Sequence, residues 1–226
     1  MKKNARLTWV AVGVVLAVAS GAMAGIQNGE FTTNLSGWTI EAGTVVSSPT
    51  LGNPPGCATF QYDAAESSRL VQSFMLPVGA KTLTFDYQFV ADGADGGSYT
   101  PGDATDTFNA SLFDNDTEWN SLVSAGGEDY FFSVNRLSQF DYADGVTVTN
   151  MGQWTRVTLD LSGLDAGYFG ADPVLAFDYF GFLDSVVTFV NLDNVRADSV
   201  VPVPGALALG LIGTALAGWL KRRREV

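Results

Sequence analysis

Carboxylates are the only abundant reactive groups in this chain. It has 24 Asp and Glu against 12 Lys and Arg, no histidine, and one cysteine, Cys57. Without imidazole there is no Ser-His-Asp triad, no histidine metal site and no histidine acid-base pair. One thiol makes neither an intramolecular disulfide nor a thiolate zinc cluster. What remains is oxygen and ring chemistry. Calcium takes six to eight hard oxygens, and Asp92–Asp106 (DGADGGSYTPGDATD) and Asp114-Asn115-Asp116 offer such groups, without the spacing of an EF-hand loop. The same Asp and Gly residues also serve as turn formers. Paired carboxylates cleave glycosidic bonds without histidine, but no pair among the body glutamates Glu30, Glu41, Glu66, Glu118 and Glu128 stands out. Sugars are held by aromatic faces and fixed polar groups. Trp119, Tyr99, Tyr130, Tyr168 and Tyr179 fall in or beside turn regions, and Trp119 and Tyr130 are the sugar-binding candidates. Trp38 and Trp154 sit in strand motifs and are expected in the core, as is the lone thiol of Cys57.

The charges are segregated. Lys2, Lys3 and Arg6 open the chain, and Lys221, Arg222, Arg223 and Arg224 close it. Between them the only basic residues are Arg69, Lys81, Arg136, Arg156 and Arg196, while every acidic residue except Glu225 lies there. A body this acidic repels nucleic acid and anionic membrane surfaces. The cationic start, the apolar run Leu7–Ala19 and the small residues of Ala22-Met23-Ala24 read as a secretory signal over residues 1–24. Signal peptidase is the implied partner, cutting after Ala24.

At the other end, Val200-Val201-Pro202-Val203-Pro204 precedes the uninterrupted apolar run Gly205–Leu220, and four basic residues follow. As a helix that run reaches about 24 Å. This is slightly short of a ~30 Å hydrocarbon core, a gap that flanking residues and snorkelling lysine can close. The basic cluster is expected to stay cytoplasmic, with the body outside the inner membrane. The order of Pro motif, Gly/Ala/Leu-rich helix and Arg cluster over Val201–Arg224 resembles the PEP-CTERM sorting signal. Pro202, Pro204, Arg222, Arg223 and Arg224 carry the likeness, in a Pro-Val-Pro form that lacks the Glu of the family's name. The resemblance implies a Gram-negative envelope protein handled by an exosortase-type sorting enzyme and linked to exopolysaccharide or biofilm matrix. Whether the tail is cut or stays as an anchor is left open.

Residues 25–199 show strand signals throughout and no sustained helical period. Thr82–Phe89 alternates, with Leu83, Phe85, Tyr87 and Phe89 on one face. Ile26–Phe31, Trp38–Val46, Cys57–Tyr62, Arg69–Leu76, Thr107–Phe113, Asp129–Leu137, Trp154–Leu161, Val174–Phe182 and Val186–Val195 complete the expected strands. Eight to ten strands between Gly/Asp/Asn/Pro-rich turns predict an all-β, antiparallel two-sheet, jelly-roll-like sandwich. The domain plan is therefore signal 1–24, sandwich 25–199 and sorting or anchor segment 200–226.

Asn28-Gly29-Glu30-Phe31 through Gly37-Trp38, and Asn191-Leu192-Asp193-Asn194-Val195, resemble the first and last strands of carbohydrate-binding-module-like, galactose-binding-like jelly rolls. Gly152–Leu161 (GQWTRVTLDL) resembles a late strand of the same group. The likeness implies a structural Ca²⁺ near Glu30 and Asp193, although Thr32 and Asn34 depart from the usual Glu and Gly. The expected function is a non-catalytic, exported, envelope-anchored sandwich of the cell surface or matrix that contacts polysaccharide. A polysaccharide-active enzyme using paired carboxylates, and a purely structural adhesion protein, are the alternatives.

Overall fold

Period-two alternation, the signal in Thr82–Phe89, is what builds this molecule. The structure is a computed structural model, and it describes residues 25–52, 55–61, 67–92, 105–115, 119–181 and 187–199. Among these residues there are twelve strands: β1 Thr39–Ala42, β2 Thr44–Gly52, β3 Pro55–Gln61, β4 Ser67–Ser73, β5 Ala80–Asp92, β6 Thr107–Phe113, β7 Phe132–Asn135, β8 Phe140–Tyr142, β9 Val146–Asn150, β10 Thr155–Asp160, β11 Val174–Phe180 and β12 Val187–Ser199. The only helical turn described is a short 3₁₀ segment, Ala166–Tyr168. No described helix is long and apolar enough to cross a membrane. The signal, with Ala22 and Ala24, and the tail, with Gly205–Leu220, Pro202, Pro204 and Arg222–Arg224, lie outside the described residues.

Two six-stranded antiparallel sheets face each other. The front sheet runs β1-β4-β11-β6-β7-β8, and the back sheet runs β2-β3-β12-β5-β10-β9. Apart from β7, which follows β6 within the front sheet, successive inner strands alternate between the sheets: β3 back, β4 front, β5 back, β6 front, then β10 back, β11 front and β12 back. That interleaving is the jelly roll expected from the strand count. Its core is aromatic. Phe85 is fully buried and touches Phe108, Phe131, Phe132 and Phe177 at ring-centroid distances of 6.4, 6.3, 5.8 and 5.1 Å, all close to edge-on. Such pairs add about 0.5–1.5 kcal/mol each to the burial of the rings. Trp38 and Trp154 are buried, as expected, and so is Cys57, whose thiol is pushed up by burial.

Two expected strands are corrected. Ile26–Phe31 is not a strand, because Asn28 and Phe31 take positive φ of 50° and 45°. The segment instead plugs one end of the core. Phe31 is fully buried against Trp38 at 5.4 Å, and the Trp38 indole N–H donates to the Gln27 carbonyl at 3.0 Å. Trp38–Val46 is two strands, because the chain crosses from front to back sheet at Gly43, φ +62°. A Cβ there would lie 2.3 Å from the Ser67 carbonyl oxygen, so only glycine permits the crossing. Strands β8 and β9 were not foreseen. They form the outer edges of the two sheets on one side of the sandwich.

Candidate functional site

The outer face of the front sheet carries an unusual polar row. Asp178 on β11 is in register with Arg69 on β4 and with Asn109 on β6. Asn109 is in register with Ser133 on β7, and Ser133 with Asp141 on β8. Cross-strand neighbours share a face, so Arg69, Asp178, Asn109, Ser133 and Asp141 form one rung across five strands. At ~4.8 Å between strands the rung is about 19 Å long. Beside it Val71, Phe113, Val174 and Ala176 make a small apolar cluster separate from the main core.

Aromatic rings stand at both ends of the rung. Trp119 packs edge-on to Phe113 at 5.4 Å, and the Arg69 guanidinium carbon lies 5.0 Å from the Trp119 ring centroid. Backbone and side-chain hydrogen bonds between Asp114 and Asn120 hold Trp119 there. Asp114 N–H donates to the Asn120 carbonyl, and Asn120 N–H donates to Asp114 Oδ1, both at 3.0 Å. Trp119 takes φ +53° and remains 38% exposed. For a bulky residue that backbone is costly, about 1–3 kcal/mol, and such strain gathers where side-chain placement matters. At the other end the Tyr130 hydroxyl donates to Asp141 at 2.8 Å. Burial, then this hydrogen bond, pushes the Tyr130 phenol up to about 12. Trp119, Tyr130 and the half-exposed Phe180 line one cavity of about 380 Å³ whose floor includes Arg69, Asn109 and Asp178.

The floor is electrostatically tense. Arg69 Nε lies 3.3 Å from Asp178 Oδ1 and 3.7 Å from Glu41 Oε2, but neither contact is aligned as a hydrogen bond. Among the described residues the buried Arg69 Nε–H has no acceptor and the buried Asn109 Oδ1 has no donor. An unmet donor and an unmet acceptor in one floor each lose the worth of a hydrogen bond, about 1–3 kcal/mol. Burial, opposed by Arg69 and reinforced by Glu41, raises the Asp178 carboxyl to about 6. A hydroxyl-rich ligand that donates and accepts at neighbouring positions would satisfy both orphaned atoms.

Trp119 and Tyr130 thus line the same outer-face cavity. Arg69, Asn109, Asp178 and Phe180 were missed, because only the non-local order β4-β11-β6 aligns them. One local signal existed: Asp178 is a carboxylate inside the otherwise apolar run VLAFDYF. Tyr179 points the other way, fully buried with its hydroxyl donating to the Thr188 carbonyl at 3.0 Å, and is corrected to core. Tyr168 lies in the 3₁₀ turn. Tyr99 and most of the Asp92–Asp106 loop lie outside the described residues.

The first and last segments do meet. Val195 N–H donates to the Gly29 carbonyl at 3.0 Å, and the Glu30 carbonyl crosses over Gly56, where a Cβ would lie 2.8 Å from it. Glu30 is exposed and lines a cleft of about 300 Å³ with Thr32 and Asn194. Asp193 is fully buried and in register with the equally buried Asp86. Arg156 clamps Asp86 with two bonds of 2.7 and 2.8 Å, and the Asn194 amide donates to both carboxylates. The paired carboxylates of Asp86 and Asp193 are oxygen donors of the kind calcium takes, while the Glu30 carboxylate stands apart at the exposed cleft. Among the described residues no group of three or more Asp, Glu, Cys or His side chains gathers as a metal site.

No family model matches the chain, and no curated protein matches it. Solved structures do resemble it. A family 28 carbohydrate-binding module described as specific for non-crystalline cellulose is 16% identical, at TM-score 0.47, over 77% of this chain and 94% of the module. A family 61 module in complex with β-1,4-galactotriose is 14% identical, at TM-score 0.41, over 78% of this chain and 94% of that one. The enzymatically active domain of tailspike protein 4 from bacteriophage CBA120 is 13% identical at TM-score 0.42; 76% of this chain is covered but only 21% of the tailspike chain. At these scores the likenesses carry no argument about function.

Proposed function

We propose that this protein is a non-catalytic glycan-binding sandwich, exported and held at the cell envelope or in the surrounding matrix. The observation that carries the binding is the in-register rung Arg69–Asp178–Asn109–Ser133–Asp141 with Trp119 and Tyr130 standing at its ends. A sugar chain laid along the rung would stack on rings and offer hydroxyls to the unmet Arg69 donor and Asn109 acceptor. The cationic leader and the Pro-Val-Pro, apolar and Arg-rich tail support export through signal peptidase, inner-membrane anchoring and handling by an exosortase-type enzyme. Glu30 and Asp193 would hold a structural Ca²⁺ that ties the plug to β12.

Glycan-array binding of the protein tests the reading. Trp119→Ala should weaken binding by about tenfold, because one stacked ring is worth about 0.5–1.5 kcal/mol in addition to the apolar area it buries. Array signals equal in wild type and variant would remove the outer-face site. One observation favours a second reading, hydrolysis: the Asp178 carboxyl near 6, in an aromatic cleft beside Asp129, has the character of a general acid. Release of reducing ends from a bound polysaccharide, lost in Asp178→Asn, would establish it. Binding without release leaves the non-catalytic reading in place.

A further inference from the structure

Strand β8 serves two surfaces at once. Asp141 points outward to Tyr130. Phe140 and Tyr142 pair with Val134 and Phe132, which face the core, so both rings point between the sheets. Phe140 lies 6.3 Å from Phe132. On the back sheet Val148 and Asn150 of β9 pair with Val157 and Thr155 of β10, again on the inward side. Here the sandwich does not close. β8 and β9 are the outermost strands of their sheets, joined only by the Ala143–Gly145 turn, and the gap between them is a cleft of about 540 Å³. That exceeds the outer-face cavity of about 380 Å³.

The lining of this edge cleft is chemically distinctive. Phe140 and Tyr142 are 44% and 49% exposed, far more than rings that merely fill a core. Behind them Tyr87 is buried and held by ring contacts to Phe132 at 5.5 Å and Phe108 at 5.9 Å, so the back wall is fixed. The polar groups are amides and hydroxyls, among them Asn150, Gln153, Ser138 and Thr155. Among the described residues no carboxylate, Lys or Arg lines it. Burial pushes the Tyr87 phenol up to about 12, so it too is neutral at ordinary pH. An anionic ligand would find no cation here, and the protein's net charge of −12 repels it. A cationic ligand would find no carboxylate. A purely apolar ligand would strand the amides. Flat apolar faces fringed with uncharged hydroxyls satisfy both the rings and the amides, and those are the faces of a neutral sugar ring.

We propose that the cleft between edge strands β8 and β9 is a second binding site, independent of the outer face, for a segment of an uncharged glycan. One domain would then hold two stretches of polysaccharide, with β8 as the wall between them. Two linked sites raise avidity for a dense matrix without any new contact, and they let the protein bridge chains.

Calorimetric titration of the full chain in a zwitterionic detergent, with cellohexaose, xylohexaose and mannohexaose as probes, counts the sites. Two sites are expected for at least one probe, falling to one in Trp119→Ala and to one in the double variant Phe140→Ala/Tyr142→Ala. If Trp119→Ala removes a site and the double variant changes nothing, the edge site is overturned and the outer-face reading stands. If the double variant removes a site and Trp119→Ala changes nothing, the edge site stands and the outer-face reading falls. No heat with any of the three probes overturns both. Hexagalacturonate is the charge control: binding that the double variant abolishes and Trp119→Ala spares would make the edge ligand anionic and overturn the inference. Should the double variant fail to fold, Gln153→Ala at an exposed position is expected to weaken the edge site about tenfold, and unchanged affinity there counts against it.

Discussion

Asp178 shows how one residue ties the stability of the sheet to the readiness of the site. Its carboxyl is raised to about 6, first by burial, with Arg69 opposing and Glu41 adding to the rise. An unfolded Asp titrates near ~3.9, so the native state holds this proton more tightly. The group's contribution to stability is therefore complete below about pH 4 and is lost as pH rises through about 6, on the order of 2–3 kcal/mol in all. Urea midpoints from pH 4.5 to 7.5 check this. Wild type should lose stability relative to Asp178→Asn across that range, and parallel curves would show that the carboxyl is not perturbed. A second residue-scale test concerns Glu30 and Asp193. An ion bound only by the folded chain raises the melting temperature, so millimolar Ca²⁺ should raise it in wild type and not in Asp193→Ala. Equal melting in Ca²⁺ and EDTA would leave Asp193 to the Asp86–Arg156–Asn194 network alone. Of these residues the sequence marks Trp119, Tyr130, Glu30 and Asp193, because ring type, turn context and motif are local properties. Arg69 and Asn109 carry no local mark, since their meaning comes from lying either side of Asp178 in strands far apart in the chain.

At the scale of elements, legibility follows burial. Strands β5 and β10 alternate plainly in the sequence, and β11 is legible as a nearly continuous, mostly buried apolar run. Strands β8 and β9 are edges with few buried residues, so VTVTN and FDY carry only a weak apolar signal. The opening segment misleads for the opposite reason. Its apolar residues, Ile26 and Phe31, pack inward from a turn rather than a strand, and positive φ at Asn28 and Phe31 is invisible to apolar periodicity. That plug depends on a close backbone approach. A Cβ at Gly29 would sit 1.9 Å from the Val195 carbonyl oxygen, a backbone atom of β12 that cannot swing aside. Gly29→Ala should therefore push the plug off β12 and destabilise the fold by about 1–3 kcal/mol, the usual cost of overpacking. Urea denaturation measures it. An unchanged midpoint would mean that the plug contributes nothing to stability.

At the scale of the molecule, the proposed function divides folding, in the acidic sandwich, from addressing, at the two basic termini. The described core draws on residues from Ile26 to Ala197, and β12 ends at Ser199. The reading of a detachable tail thus makes a physical demand: removing Pro202–Val226 should take away no buried contact of the sandwich, while taking away the apolar run and the cationic cluster that would hold it to a membrane. The truncated protein should leave the membrane fraction, keep the melting temperature of the full chain's sandwich, and remain soluble, because the body it leaves is strongly acidic and self-repelling. A reporter active only in the cytoplasm, fused within 25–199 of the full chain, should be silent in the same cells, since the leader would carry the body across. Cell fractionation of the two chains decides the matter. A truncated protein that aggregates would show that the tail completes the fold, and one that stays with the membrane would show that the sandwich attaches by some other surface.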